Sequence, residues 1–251
     1  MHWVIQQSIF KPGNYQLLVD ALDAQGIAHT SVSIKNGSYE MSPDLALDGK
    51  VYVCGAIRLA HIARSKAWVP GSFLNENFDF AVWLAALGDE MLNARYVAGT
   101  LAEVAVPAAA PFFIRPAQDN KAFDGMVMDA EMLASWRQDA GRAHLLPLAV
   151  IVSPVRQLFR EYRLFVVGKQ VVTGSLYKAG GRPQISSDVE DYVLDYARAL
   201  IARWTPADAF VVDLGLTEDG LKVIEFNNIN SSGFYASNVA SYVQAIQARY
   251  A

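Results

Sequence analysis

Ala209-Phe210-Val211-Val212-Asp213-Leu214-Gly215-Leu216, the turn Thr217-Glu218-Asp219-Gly220, and Leu221-Lys222-Val223-Ile224-Glu225-Phe226-Asn227 form the stretch that decides the fold. Two β-rich runs separated by a polar turn ending in glycine read as a hairpin. Glu225 and Asn227 occupy alternate positions, so their side chains leave the same face. The turn sets Asp213 roughly opposite Glu225. Three oxygen-bearing side chains then converge within apolar strands. Magnesium takes hard oxygen ligands, usually one or two carboxylates together with substrate phosphates, and Asp213, Glu225 and Asn227 meet that demand. The competing reading is an edge hairpin whose acids face water. It is disfavoured because carboxylates set among buried apolar residues are costly unless partnered.

Working outward, Tyr162 to Val167 and Gln170 to Tyr177 predict an earlier hairpin about Gly168-Lys169, and Val189 to Trp204 predicts an amphipathic helix. Arg163 sits inside an apolar strand, two residues after Glu161 and on the same face. The two could simply pair. Further upstream, Pro111 to Pro116 predicts a strand carrying Arg115, followed by a polar loop carrying Lys121, a strand over 123–128, a short helix over 131–140 and a β-like run from Leu145 to Val152. Guanidinium groups suit polyphosphate oxygens and a loop lysine supplies a mobile point charge. Basic residues in one half and magnesium-type acids in the other suggest a nucleoside triphosphate held between two sheets.

The first ninety or so residues have another texture. Trp3-Val4-Ile5, Ser31 to Ile34 and Lys50 to Gly55 read as strands, with helical spacing at Leu17, Leu18, Ala21 and Leu22 and again at Ile57, Ala60, His61 and Arg64. Strand, helix, strand predicts a small α/β layer on a largely parallel sheet. A third helical pattern covers Phe80 to Met91.

Composition closes several doors. With 53% of its 251 residues hydrophobic, the chain can bury a core, and disorder is excluded as its main state. Twenty-one basic against twenty-five acidic side chains leave a net charge of −4, so broad nucleic-acid binding is not expected. Cys54 is the only cysteine, which excludes an intrachain disulfide and fits a reducing compartment. The N-terminus lacks the pattern of a signal peptide, and the longest apolar stretch, Ala98 to Phe113, is broken by Pro107 and Pro111. A cytoplasmic protein without membrane contact is the expectation.

The segments Phe113-Ile114-Arg115-Pro116, Lys121 to Gly125, Arg160 to Gly168, Val211 to Gly215 and Ile224-Glu225-Phe226-Asn227-Asn228 together resemble the ATP-grasp superfamily, in the order that family uses. Arg115 stands where many members carry lysine. The pattern is similar to a clade with arginines and a lysine at the phosphate site. The resemblance implies an α/β (α+β) protein: an N-terminal pre-ATP-grasp domain over 1–93, then an ATP-grasp domain over 94–251 with lobes near 94–152 and 153–251. It implies ATP and Mg2+ as cofactors, with Asp213, Glu225 and Asn227 on the metal. Arg115, Lys121, Glu161, Arg163 and Lys178 are implied around the nucleotide, and Arg163 and Lys121 as the catalytic cations. Leu148-Ala149-Val150-Ile151 resembles the hinge strand whose backbone holds adenine.

The implied reaction is carboxylate–amine ligation through an acylphosphate, on small-molecule or peptide substrates. The alternatives are a phosphotransferase that stops at a phosphorylated product and a non-catalytic ATP-binding module. A homodimer is compatible with either. Asn228, Asn230, Ser231 and Ser232 leave a strand end beside the metal residues and are expected to grip the acceptor, or else to cap the following helix over 236–248. His2, His29, His61 and His144 lie on separate elements, Gly180-Gly181 lacks the spacing of a P-loop, and Cys54 is expected in the core.

Overall fold

The structure is a computed structural model that describes residues 1–9, 12–117 and 122–251. The first unit runs β1 (His2–Gln6), α1 (Pro12–Ala24), β2 (His29–Ile34), β3 (Met41–Ser42), β4 (Lys50–Cys54), α2 (Ile57–Ser65) and β5 (Val69–Gly71). Its sheet has the order β3-β2-β1-β4-β5. All pairings are parallel except β2 with β3. β1 and β4 are nearly continuous apolar runs because both of their faces are covered. The short β3 and β5 carry too little alternation to be read from sequence. Cys54 is buried, and that burial pushes its thiol up to about 12, as suits a core residue.

Next come α3 (Phe80–Leu87), β6 (Val97–Thr100), β7 (Phe112–Pro116), β8 (Met126–Met128), α4 (Ala130–Gln138) and β9 (Ala149–Pro154). β6 to β9 make an antiparallel sheet in the order β6-β9-β7-β8. It is a small lobe with its own core of Leu101, Val104, Phe112, Ile114, Met128 and Leu133. The Asp129 carboxylate caps α4 by accepting from the Met132 N–H.

The second lobe holds β10 (Arg160–Val167), β11 (Gln170–Ala179), β12 (Arg182–Ser186), α5 (Asp191–Arg203), β13 (Ala209–Thr217), β14 (Gly220–Asn227) and α6 (Val239–Tyr250). Its antiparallel sheet runs β12-β11-β10-β13-β14. One face, with Tyr162, Leu164, Phe210 and Val212, is covered by α5 and also by α3 through Phe80, Trp83 and Leu87. Residues 80–91 thus pack on the second lobe rather than on the first sheet, although their place in the chain groups them with the first unit. On the opposite face Phe165, Val167, Ala209 and Val211 pack under α6 and meet Trp3, Ile5 and Tyr52 of the first sheet in one continuous core. The N-terminal unit and the second lobe are welded together. The small lobe stands against them. Among the described residues no helix is long and apolar enough to cross a membrane.

Candidate functional site

The face of β10 that carries Phe165 and Val167 continues, two and four residues earlier, to Arg163 and Glu161. On β13 the face of Ala209 and Val211 continues to Asp213. These polar positions lie where α6 no longer covers the sheet, beside a cleft of about 510 Å³ between the two lobes. From the small lobe β7 contributes Phe113 and Arg115, whose neighbours Phe112 and Ile114 point into that lobe's core. From the second lobe come Glu161, Tyr177, Lys178, Ile224 and Glu225.

Two β-bulges shape this surface. Between β13 and β14 the register moves from Leu214 opposite Val223 to Asp213 opposite Glu225, leaving Ile224 as the extra residue. Counted from the turn without a bulge, Asp213 would face Ile224. The bulge restores Glu225 and lets Ile224 and Glu225 both line the cleft while Val223 and Phe226 stay in the core. On the other side Glu161 pairs with Lys178 and Tyr162 with Leu176, so Tyr177 is the extra residue and joins Lys178 at the cleft. Gly215 is bare for a steric reason: a Cβ there would meet Leu158 Cδ2 at 2.6 Å and Ile224 Cδ1 at 3.2 Å.

Asp213, Glu225 and Asn227 come together as the sequence predicts. Asn227 Nδ2 donates to Asp213 Oδ2 at 3.3 Å and to Glu225 Oε1 at 3.0 Å. Arg163 lies in register with Asp213 and donates to both of its oxygens, Nε to Oδ1 at 2.8 Å and Nη2 to Oδ2 at 2.7 Å. Arg163 therefore does not pair with Glu161. Glu161 instead receives Lys178 Nζ at 2.9 Å and the Tyr177 hydroxyl at 3.0 Å. Burial pushes the Asp213 carboxyl upward while Arg163 works against that shift. Burial would lower Arg163, but the carboxylate beside it holds the guanidinium above its usual range. Arg115 Nη1 lies 3.9 Å from Glu225 Oε2, with its guanidinium over the Phe80 ring.

Sequence reasoning missed two aromatic residues. Tyr177 and Tyr235 stack with ring centroids 4.8 Å apart, and the Arg163 guanidinium lies 5.2 Å from the Tyr235 ring centre. Tyr235 holds a left-handed backbone, φ 51°, uncommon for a bulky residue and a feature that clusters at functional sites. The bulge at Tyr177 has no sequence signature, and Tyr235 lies beyond the strand pattern.

Other expectations change. Lys121 lies outside the described residues. Leu148, Ala149, Val150 and Ile151 do not line the cleft. β9 is a central strand, so the Leu148 and Ala149 carbonyls accept from Leu101 and Ala117 at 2.9 Å each, while Val150 and Ile151 are buried in two different cores. The Leu148 and Ala149 carbonyls are thus already engaged within the sheet. The cleft wall at this end is instead Pro154-Val155-Arg156, where β9 runs out. Asn230, expected at the acceptor, is fully buried and ties two parts of the protein. Its amide donates to the Val53 carbonyl, and its Oδ1 accepts from the Phe73 N–H at 3.3 Å. The Asn228 side chain accepts from the Asn230 N–H at 3.0 Å, and Ser232 donates to the Asn228 carbonyl at 3.0 Å, so both brace the loop. The α6 cap is Asn238, which accepts from the Ser241 N–H. Ser231 stays half-buried at the loop surface.

Among the described residues no three His, Cys, Asp or Glu side chains cluster at metal-binding distance. The donor set is two carboxylates and an amide, which fits magnesium once phosphate oxygens complete its shell. The Asn227 N–H bonds hold the two carboxylates together.

A lobe that closes over a carboxylate-bearing antiparallel sheet, with cations on both walls of the cleft, defines the ATP-grasp class of fold. Residues 93–245, more than half of the chain, match the ATP-grasp domain of the R-two-K clade, family 2, and the protein belongs to that family. Solved structures share the fold. The RimK domain protein ATP-grasp from Sphaerobacter thermophilus DSM 20745 is 16% identical over 92% of each chain, with a TM-score of 0.61. D-cycloserine synthetase DcsG is 15% identical over 99% of each chain, with a TM-score of 0.63. ATP-grasp ligase PsnB, solved with minimal precursor, Mg and ADP, is 16% identical over 98% of this chain and 97% of its own, with a TM-score of 0.57. No curated protein matches this chain.

Proposed function

We propose that this protein is an ATP- and magnesium-dependent ligase that joins a carboxylate to an amine through an acylphosphate. The observation that carries the reading is the Asp213, Glu225 and Asn227 corner, joined by the Asn227 N–H bonds and reaching through Glu225 a cleft that also holds Arg115 and Lys178. In support, its family has the ATP-grasp domain, and PsnB, of the same fold, is a ligase solved with Mg and ADP. Asp213, Glu225 and Asn227 would hold magnesium, which when bound neutralises phosphate charge and so favours transfer. The γ-phosphoryl passes to a substrate carboxylate oxygen as ADP leaves. The amine then attacks the acyl carbon, phosphate departs with the bonding pair, and the amine proton is lost to solvent.

The protein's part is to bind and orient. Arg115 and Lys178 would receive phosphate oxygens, with Lys121 from its loop. Arg163 positions Asp213 with two of its donors, while Nη1 makes only a 3.4 Å contact to the Gly233 carbonyl and is the atom best able to reach the reacting phosphate. Ser231 would face the acceptor. A peptide acceptor is supported by the precursor peptides bound to PsnB. A reducing, cytoplasmic setting fits the single buried thiol.

The test is ADP release against pooled amino acids and peptides. Glu225→Gln keeps shape and removes a ligand charge, so it should unfold normally and lose magnesium-dependent turnover by about two orders of magnitude, the scale of one lost electrostatic contact at a reacting centre. Full turnover in a folded Glu225→Gln protein defeats the metal assignment. Turnover that proceeds without an amine points to phosphotransfer instead.

A further inference from the structure

Tyr235 holds a conformation that its side chain opposes. At φ 51° a β-carbon is crowded against the following carbonyl, and glycine or asparagine is the usual occupant. The neighbours enforce this path. Phe234 is buried and stacks on Phe165 with centroids 5.6 Å apart, while the Ala236 N–H donates to the fully buried Ser175 hydroxyl at 3.2 Å. The Ser237 N–H closes the turn on the Phe234 carbonyl at 2.9 Å. A glycine would follow the same path without strain, so what the position keeps at a cost is the ring.

That ring stacks on Tyr177, with centroids 4.8 Å apart and planes 12° from parallel. The Arg163 guanidinium lies 5.2 Å from the Tyr235 ring centre and 5.9 Å from that of Tyr177. Three distances so nearly equal set the guanidinium beside the stacked pair, in reach of both rings. The same loop supplies the Gly233 carbonyl, which accepts from Arg163 Nη1 at 3.4 Å. Arg163 in turn grips Asp213 through two parallel bonds, Nε to Oδ1 at 2.8 Å and Nη2 to Oδ2 at 2.7 Å. A two-pronged bond of this kind favours a shared plane, so the tilt of the guanidinium sets the tilt of the carboxylate. Building on the magnesium reading above, we infer that Tyr235 is a positioning residue for the Asp213 corner, acting with Tyr177 through Arg163. The rings hold the guanidinium, and the guanidinium fixes which way the carboxylate faces. Groups at this remove from an ion typically change its affinity by about 10–100-fold. A tyrosine that only filled space would be replaced without effect on the ion.

The experiment is calorimetric titration of magnesium into the full chain in saturating ADP, with thermal unfolding of every variant alongside. Tyr235→Gly and Tyr235→Asn both accept the left-handed backbone and remove the ring. Each should fold and weaken magnesium binding at least tenfold, while ADP binding in EDTA stays within about twofold of the wild type. Tyr235→Phe keeps the stack and should keep magnesium affinity within the same twofold. Should neither ringless variant unfold cooperatively, Tyr235→Leu, which keeps bulk without an aromatic face, is read in their place. Unchanged magnesium affinity in the folded ringless variants overturns the role of Tyr235 and leaves the magnesium reading standing. So does a loss in Tyr235→Phe as large as in Tyr235→Gly, or an equal weakening of ADP in EDTA. A wild type that binds ADP with no magnesium dependence overturns the magnesium reading, and this inference with it.

Discussion

Phe165, Val167, Ala209 and Val211 lie on the same sheet face as Glu161, Arg163 and Asp213, yet the first group is sealed beneath α6 and the first sheet, while the second lies beyond that core and reaches the cleft through Glu161. Exposure does not separate them: Val211 is fully buried and Asp213 is 2% exposed. Partners do. At the apolar end, contact with Tyr242, Phe234 and Trp3 stabilises the fold directly. At the polar end, the buried Asp213 carboxylate, the Arg163 guanidinium, the Asn227 amide and the half-buried Glu225 bind one another, and desolvation offsets much of what those contacts return. One strand thus serves the core at one end and carries a polar network at the other, with the boundary set by where the covering helix stops.

The largest expected effect comes from breaking the apolar end. Phe165→Ala removes a fully buried ring that stacks on Phe234 and should lower unfolding free energy by about 3–5 kcal/mol in a denaturant titration. At the polar end, Asp213→Asn strands Arg163 and should cost roughly 3 kcal/mol. The double change Arg163→Met, Asp213→Leu replaces the pair with apolar groups. It should return stability to the wild-type value or raise it by about 1–4 kcal/mol, with ATP-dependent turnover abolished. A double variant as unstable as Asp213→Asn would erase the contrast.

Smaller effects sharpen it. Ser232→Ala removes a loop-bracing bond to the Asn228 carbonyl and should cost about 1 kcal/mol, whereas Ser231→Ala should leave stability alone and raise the acceptor KM. Glu90 offers the solvent-facing counterpart of Asp213. The Tyr196 hydroxyl at 2.7 Å, aided by Arg203, holds its carboxyl below the usual range. A depressed carboxyl stabilises above the unfolded-state pKa of about 4.3, and that contribution disappears as pH falls through the folded value. Glu90→Gln should therefore cost about 0.5 kcal/mol at pH 7 and nothing near pH 2, read from thermal unfolding at the two pH values.

The sequence was legible wherever one residue's chemistry or a long periodic run decided the matter. The β13–β14 hairpin, the convergence of Asp213, Glu225 and Asn227, the parallel first sheet and the long helices all follow from alternation and turn residues. What escaped depends on contacts across the chain. An apolar run such as Leu148 to Val152 reads alike in a cleft wall or a central strand; only the neighbours β6 and β7 decide that its backbone is already engaged. A polar loop residue such as Asn230 reads alike as a ligand or a tie, and the Val53 carbonyl decides. Bulges at Tyr177 and Ile224 leave no local trace, since the extra residue is defined by the partner strand.

The bulge at Ile224 turns the number of residues between Asp213 and Glu225 into a ruler. Taking out Ile224 alone leaves the pairing unbroken from the turn: Asp213 still opposes Glu225, and Val223 and Phe226 stay in the core, Phe226 against Trp83, Trp204 and Phe210. A residue added beside Ile224 instead shifts the parity of the strand and drives Glu225 towards those three rings. Deletion of Ile224 should thus give soluble, folded protein, whereas a one-residue insertion at the same place should be lost as insoluble or degraded protein.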